Sequence, residues 1–292
     1  MNRILSDSTL QAIFDTEIAP ILDSEIAGRT KIEQPVLFMV GAQPGAGKTK
    51  AIASIASRNN AIEINGDDLR THHPDYDQLM DADPLLMPSA TSQASGAWVS
   101  MSLDYLRHRR VSTIIETTFN HPDSNAKTLR DFHQVGFQTR LIALVVPPIL
   151  SLAGIVMRYI RQVETNGSGR WTDPAYHDKA MQQIPQTLRL LLKTGNVDMA
   201  SIANRDGDII ETVHAGTAGV DDQPIEKLLN TFANSANIDT ITSGQKQIFN
   251  NSLAGIQTFL ESHPDESALI QPVFERLQHI TGKPSKEPKN TF

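Results

Sequence analysis

The residues with the plainest chemical purpose are Gly41, Ala42, Gln43, Pro44, Gly45, Ala46, Gly47, Lys48, Thr49 and Lys50. They follow an apolar run, 36-VLFMVGA-42, and precede a segment of helical spacing, AIASIASR. Small residues there let successive backbone N–H groups point into one concavity, and the helix start adds the positive end of its dipole. Such a loop cradles a nucleoside triphosphate, with Lys48 reaching the β- and γ-phosphates and the Thr49 hydroxyl ligating Mg2+. Ala42 stands where the strict G-x-x-x-x-G-K-[ST] pattern has Gly, a replacement that a negative φ accommodates. No N-K-x-D guanine reader is evident, which weighs against a GTPase and leaves ATP as the expected nucleotide.

A kinase needs a base for the acceptor hydroxyl, and 64-INGDDLR-70 offers Asp67 just past an apolar strand. Open parallel sheets bind ligands beyond the carboxyl ends of their strands, which is where Asp67 would meet an acceptor. Asp68 reads instead as a helix N-cap. The next strand closes on 114-IIETTFN-120, where Glu116 and Thr118 are candidates for the acceptor site. Glu116 would hold Mg2+ through water or accept hydrogen bonds from a sugar-like acceptor, and its position leaves both open. In 157-MRYIRQVETNGSGRWTD-173, Arg158 and Arg170 flank a Gly-containing loop and could close on the transferring phosphoryl group. Arg161 shares the Arg158 face or is a solvated neighbour. His72-His73 lacks the H-x-x-x-H spacing of a metal pair and reads as helix-start or substrate-edge packing.

These residues need a scaffold that gathers strand ends. Apolar runs at 36–42, 61–65, 111–117 and 137–146 alternate with helical stretches, which predicts a mostly parallel α/β sheet flanked by helices, the P-loop kinase arrangement. A fifth strand is expected at 197–205, turning back at Asp206-Gly207 into 208–213. Residues 7–27 read as an amphipathic helix packed on the sheet, with a partner-binding face as the alternative. From about residue 222 the texture becomes helical: 224–237, 244–262 and 266–281. The expected division is a kinase core over 1–225, a helical extension over 226–281 and a frayed tail over 282–292.

The 292 residues carry 26 basic and 33 acidic side chains, a net charge of −7, and no cysteine. Disulfides, a thiolate nucleophile and cysteine-ligated zinc are thereby excluded. The acidity weighs against nucleic-acid or membrane binding by bulk charge. Residues 141–157 are uncharged but interrupted by Pro147-Pro148, and the start, MNRILSDSTLQAIF, has no apolar signal core, so a cytoplasmic enzyme without membrane or nucleic-acid partners is expected.

Taken together, GAQPGAGKT, INGDDLR with HHPDY behind it, IIETT, and the Arg158…Arg170 pair with TDPAYHD beyond resemble the zeta-toxin family of bacterial toxin–antitoxin systems, kinases of UDP-N-acetylglucosamine. The resemblance covers about residues 30–220. It implies that Lys48 and Thr49 hold the phosphates and magnesium, that Asp67 is the catalytic base, that Glu116 and Thr118 contact the sugar nucleotide, and that Arg158 and Arg170 embrace the triphosphate. The implied reaction phosphorylates the sugar 3′-hydroxyl, which blocks cell-wall synthesis, and an antitoxin protein is the implied partner. Two features depart from the family. The helix before the third strand offers only Asp104, with Ser100 and Ser102, where an acid is expected, and a compact member would lack the C-terminal helices. The competing expectations are a P-loop kinase of another hydroxyl acceptor (an antibiotic, a nucleoside or a nicotinamide cofactor) and a nucleotide-gated interaction protein acting through its C-terminal helices. Those helices are also read as decoration on the core or as a restraint in cis.

Overall fold

The computed structural model describes residues 4–29, 32–216 and 218–281, so the tail expected at 282–292 lies outside the described residues. Six strands form, β1 Val36–Gly41, β2 Ile62–Ile64, β3 Thr113–Thr117, β4 Gln138–Leu144, β5 Met199–Ala203 and β6 Ile209–His214. They join in one sheet of order β2-β3-β1-β4-β5-β6. The first five are parallel and β6 returns antiparallel to β5, through a turn in which Gly207 takes φ +87°. The strands read as unbroken apolar runs because helices cover both faces. Leu37, Met39, Leu141 and Ala143 point to one side, beneath helices Ser92–Arg109, Pro122–His133, Pro174–Leu192 and Asp222–Ser235. Phe38, Val40, Ile142 and Leu144 point to the other, beneath Lys48–Asn59 and Pro148–Asn166.

The N-terminal segment is helical over the expected residues but not uniformly so. α-Helix Asp7–Ile13 passes into a π-turn, Phe14–Ile18, and then into α-helix Ala19–Ala27. Pro20 has no N–H to donate to Thr16, and the Ala19 N–H reaches back five residues to the Phe14 carbonyl instead. The wider turn counters the roughly 40° drift of an i+4 series on an α-helix, so Leu10, Phe14, Ile18 and Leu22 all stay buried. The segment packs on Ser92–Arg109, a correction to the sheet expected from its amphipathicity. Trp98 Nε1 donates to the Leu10 carbonyl at 3.1 Å, and Tyr105 and Arg109 donate to Asp23 at 2.7 and 2.6 Å.

The C-terminal helices divide between the two faces. Helix Asp222–Ser235 straddles residue 225 and buries Ile225, Leu228 and Phe232 near β5 and β6. Helix Ser243–Ser262, opened by a capping box between Thr242 and Gln245, and helix Ser267–Thr281 lie against Pro148–Asn166. Phe249, Ile256, Phe259, Phe274 and Leu277 are buried there. The uncharged stretch 141–157 is the end of β4 and the start of a helix, and no described helix is long and apolar enough to cross a membrane.

Candidate active site

The chain leaves β1 toward β2 and leaves the neighbouring β4 toward β5, so the crevice beyond their carboxyl ends is the sheet's topological switch point. The loop from Gly41 to Gly47 occupies it. Gly45 and Gly47 take φ of +76° and +81°, and helix Lys48–Asn59 starts directly behind them. Ala42 is fully buried and is absent from the residues with positive φ, which is how an Ala fits the position. Gln43 is buried as well, donating to the Val146 carbonyl at 2.7 Å. The loop is pressed from one side by Pro148–Asn166, where a Cβ on Gly154 would stand 2.5 Å from the Gly45 carbonyl oxygen. On the other side the Arg205 guanidinium lies across Gly47, and Lys50 turns its side chain away to pair with Asp206 at 2.6 Å.

Lys48 Nζ stands 3.2 Å from Glu116 Oε1 and 3.4 Å from the Ala42 carbonyl. Parallel pairing of Val40 with Glu116 creates this proximity by bringing the β3 terminus beside the loop. Thr118 follows, and Phe119 then takes φ +57°, unusual outside glycine, which buries its ring against Gly41. Two buried polar atoms just beyond, Asn120 Oδ1 and Asn125 Nδ2, have no hydrogen-bond partner.

Asp67 sits in the first turn of a short helix, Gly66–Leu69, whose N-cap is Asn65, accepting the Asp67 N–H at 3.0 Å. This corrects the reading of Asp68 as the cap. Two arginines hold the Asp67 carboxylate: Arg170 Nη1 at 2.6 Å and Arg70 Nε at 3.2 Å. Burial by itself would raise the Asp67 pKa, but Arg170 and then Arg70 outweigh it and keep the carboxyl below its ordinary 3.8. Arg70 is anchored in turn by the Pro88 carbonyl and the Thr91 hydroxyl, each at 2.7 Å. Arg158 donates to Thr172 at 2.5 Å while its buried Nε has no partner. Burial and the nearby Arg170 lower the Arg158 pKa, opposed by Asp67 and Glu116, so the four groups share one field. Arg161 is exposed and donates to the Met157 carbonyl at 3.0 Å.

The remaining expectations sort by position. Asp104 is on the surface, paired with Arg107 at 2.9 Å, and Ser100 is exposed. Ser102 is buried. The helix residue facing the Asp67 loop is Ser95, donating to the Gly66 carbonyl at 2.6 Å. His72 pairs with Glu17 at 2.8 Å and stands edge-on to Trp98, while His73 accepts the Asp75 N–H at 3.1 Å. Sequence reasoning passed over Glu63 on β2, whose pKa burial raises to about 7, helped by Glu116 and Asp68. An acid inside the apolar run AIEIN was the available signal. Arg70 was signalled only by its i+3 spacing from Asp67, and Arg205 by its place just past the end of β5.

These groups suit a magnesium nucleotide. Glu116 stands beside Lys48, with Glu63 and Asp68 near enough to feel its charge, and oxygen donors are the ligands of a hard cation. Among the described residues no three His, Asp or Glu side chains form a ready-made cage, as for a magnesium held largely by phosphates and water. A cavity of about 300 Å³ between Ile26, Arg29, Asn60 and Arg109 lies at the opposite, amino-terminal ends of the strands.

Comparison with known proteins finds relatives among bacterial toxins. Toxin zeta of Enterococcus hirae is 27% identical over 199 residues, 67% of this chain and 70% of that protein. Toxin PezT of Streptococcus pneumoniae is 25% identical over 223 residues, 75% of this chain and 88% of that one. A solved structure from the PezAT chromosomal toxin–antitoxin system of Streptococcus pneumoniae superimposes with a TM-score of 0.72 at 21% identity. It covers 87% of this chain and 98% of its own, so the shared fold runs past residue 225 into helices that a compact relative was expected to lack. The family model described as zeta toxin matches residues 22–212, from the N-terminal helix to β6 and well over half of the sequence, and the chain therefore belongs to the zeta toxin family.

Proposed function

We propose that the chain is an ATP-dependent kinase that phosphorylates the 3′-hydroxyl of UDP-N-acetylglucosamine and acts as a toxin held in check by an antitoxin protein. The observation that carries the reading is the convergence of the phosphate loop, Asp67 and Arg170 at one end of the sheet, with Arg170 in contact with Asp67. Loop N–H groups and Lys48 hold the β- and γ-phosphates, and the Thr49 hydroxyl would hold Mg2+. The metal, when bound, neutralises phosphate charge. Asp67 takes the acceptor proton as that oxygen bonds to the γ-phosphorus, the bond to the β,γ-bridging oxygen breaks, and ADP leaves. Arg158 and Arg170 face the charge that develops on the transferring group. Glu116 and Thr118 contact the sugar nucleotide. ATP and nucleotide sugars are cytoplasmic substrates, and the enzyme is placed there.

A second reading, a kinase of another hydroxyl acceptor, is favoured by one observation. The helix beside Asp67 presents Ser95 rather than an acid, and Asp104 is turned to the surface. Incubation with ATP, Mg2+ and a panel of sugar nucleotides, nucleosides, antibiotics and nicotinamide cofactors, with products identified by mass spectrometry, separates the two. Phosphate on UDP-N-acetylglucosamine supports the first, and transfer only to another acceptor selects the second.

A further inference from the structure

Two lines of contact run from the C-terminal helices into the nucleotide site. The first begins at Arg276 on helix Ser267–Thr281, whose Nη1 and Nη2 donate to Asp178 Oδ2 and Oδ1 at 2.8 and 2.9 Å. His177 Nδ1 meets Asp178 at 3.0 Å, and His177 Nε2 meets Ser151 Oγ at 2.8 Å. Ser151 Oγ in turn lies 3.3 Å from Nε2 of Gln43, inside the phosphate loop. Gln43, Ser151 and His177 are each 0% exposed. Burial, opposed by Asp178, keeps the imidazole on the neutral side of its ordinary behaviour. The neutral ring then gives its Nδ1 proton to Asp178 and accepts the Ser151 hydroxyl at Nε2. Serine, histidine and aspartate in this order are the components of a hydrolase nucleophile, but a buried Ser151 gives a substrate no approach. The array is a strut between the last helix and the phosphate loop.

The second line begins in the 3-10 turn Pro264–Glu266 that joins the last two helices, at Glu266, which accepts the Tyr159 hydroxyl at 2.7 Å. The Tyr159 ring stands edge-on to Trp171 with centroids 5.3 Å apart, and a Cβ on Gly169 would lie 2.8 Å from the Tyr159 carbonyl oxygen. Gly169 and Trp171 are the chain neighbours of Arg170, the partner of Asp67.

We infer that Arg276 and Glu266 are positioning residues of the nucleotide site, Arg276 fixing the phosphate loop through Asp178, His177, Ser151 and Gln43, and Glu266 fixing the Arg170 loop through Tyr159. The last helix and the turn before it, which lie outside the 22–212 family match, thereby belong to the working enzyme. This rests on the kinase reading for what the site binds and on the contacts above for how it is held. It displaces the decorative reading for this last helix and turn, because packing alone requires neither the two-pronged Arg276 grip nor a buried polar chain ending at Gln43.

The test uses the full chain and N-methylanthraniloyl-labelled ATP and ADP analogues with Mg2+, read by fluorescence, with melting temperature as the control for folding. Arg276→Met weakens both analogues about three- to tenfold, the scale expected when a supporting contact is removed, and Arg276→Lys restores part of the loss. Tyr159→Phe keeps the ring and removes the hydroxyl. It weakens the ATP analogue about threefold and leaves the ADP analogue unchanged, because Arg170 serves the γ-phosphate. If Arg276→Met does not fold, Ser151→Ala carries the test with the surface ion pair intact. Wild-type binding of both analogues with no change in folded variants overturns the inference alone. Failure of the wild-type protein to bind either analogue overturns the kinase reading and this inference with it.

Discussion

Arg170 Nη1 stands 2.6 Å from Asp67 Oδ1, so the candidate base and a candidate phosphate-binding cation neutralise each other before any substrate is present. On the proposed kinase reading, a triphosphate would compete with Asp67 for this arginine and, by drawing it away, free the carboxylate to take a proton. That reading would join nucleotide binding and activation of the base in one side chain.

Asp67→Asn keeps the shape and removes the base. Phosphoryl transfer is expected to fall by about 10²- to 10⁴-fold. Nucleotide binding, measured separately, is not weakened, because the substitution removes a negative charge near the phosphates. Transfer within a few-fold of wild type would show that the proton goes elsewhere.

Arg170→Met removes the larger of the two attractions that hold the Asp67 carboxyl below 3.8, leaving burial to push it upward. The acid limb of kcat/KM for ATP therefore moves to higher pH, and activity at neutral pH falls about 10²-fold with the lost phosphoryl contact. The stability that a depressed Asp67 contributes, present above 3.8 and lost as pH falls through its folded value, is reduced in the variant, which keeps only Arg70 against burial. An acid limb that stays in place while activity falls would separate the arginine from the base.

Glu63 carries the opposite sign. Its folded pKa, about 7 against an ordinary 4.5, means that its contribution to stability is complete below about pH 4.5 and declines as pH rises toward 7. Glu63→Gln is expected to stabilise the nucleotide-free protein at pH 8 by about 1–2 kcal/mol, after discounting for partial exposure, and to change little at pH 4.5. Thermal unfolding at both pH values checks this, and equal effects at the two would contradict it.

Gly154→Ala distinguishes local propensity from packing. In a helix interior alanine is favoured over glycine by about 1 kcal/mol. Here the added methyl would stand 2.5 Å from the Gly45 carbonyl oxygen, against backbone. The expected result is lower stability by about 1–3 kcal/mol and weaker nucleotide binding. A rise in melting temperature with unchanged binding would mean that the loop yields freely.

The sequence by itself determined the sheet, the phosphate loop and the placing of Asp67 and Glu116 at strand ends, because each is written in contiguous residues. Apolar runs such as 137-FQTRLIALVV-146 can be buried on both faces only inside a helix-covered sheet, and Gly45, Gly47 and Lys48 carry their purpose in their spacing. The π-turn before Pro20 was legible only in part, since a proline shows where an α-helix must yield but not how. Tertiary structure alone decided what meets across the chain. The Arg170–Asp67 contact spans 103 positions and the Arg276–Asp178 contact 98, and neither leaves a local pattern, because strand order and helix packing bring such pairs together. The same holds for Asp104, an acid on the expected helix that the rotation of Ser92–Arg109 turns to solvent, and for Ser95, which that rotation turns toward Gly66.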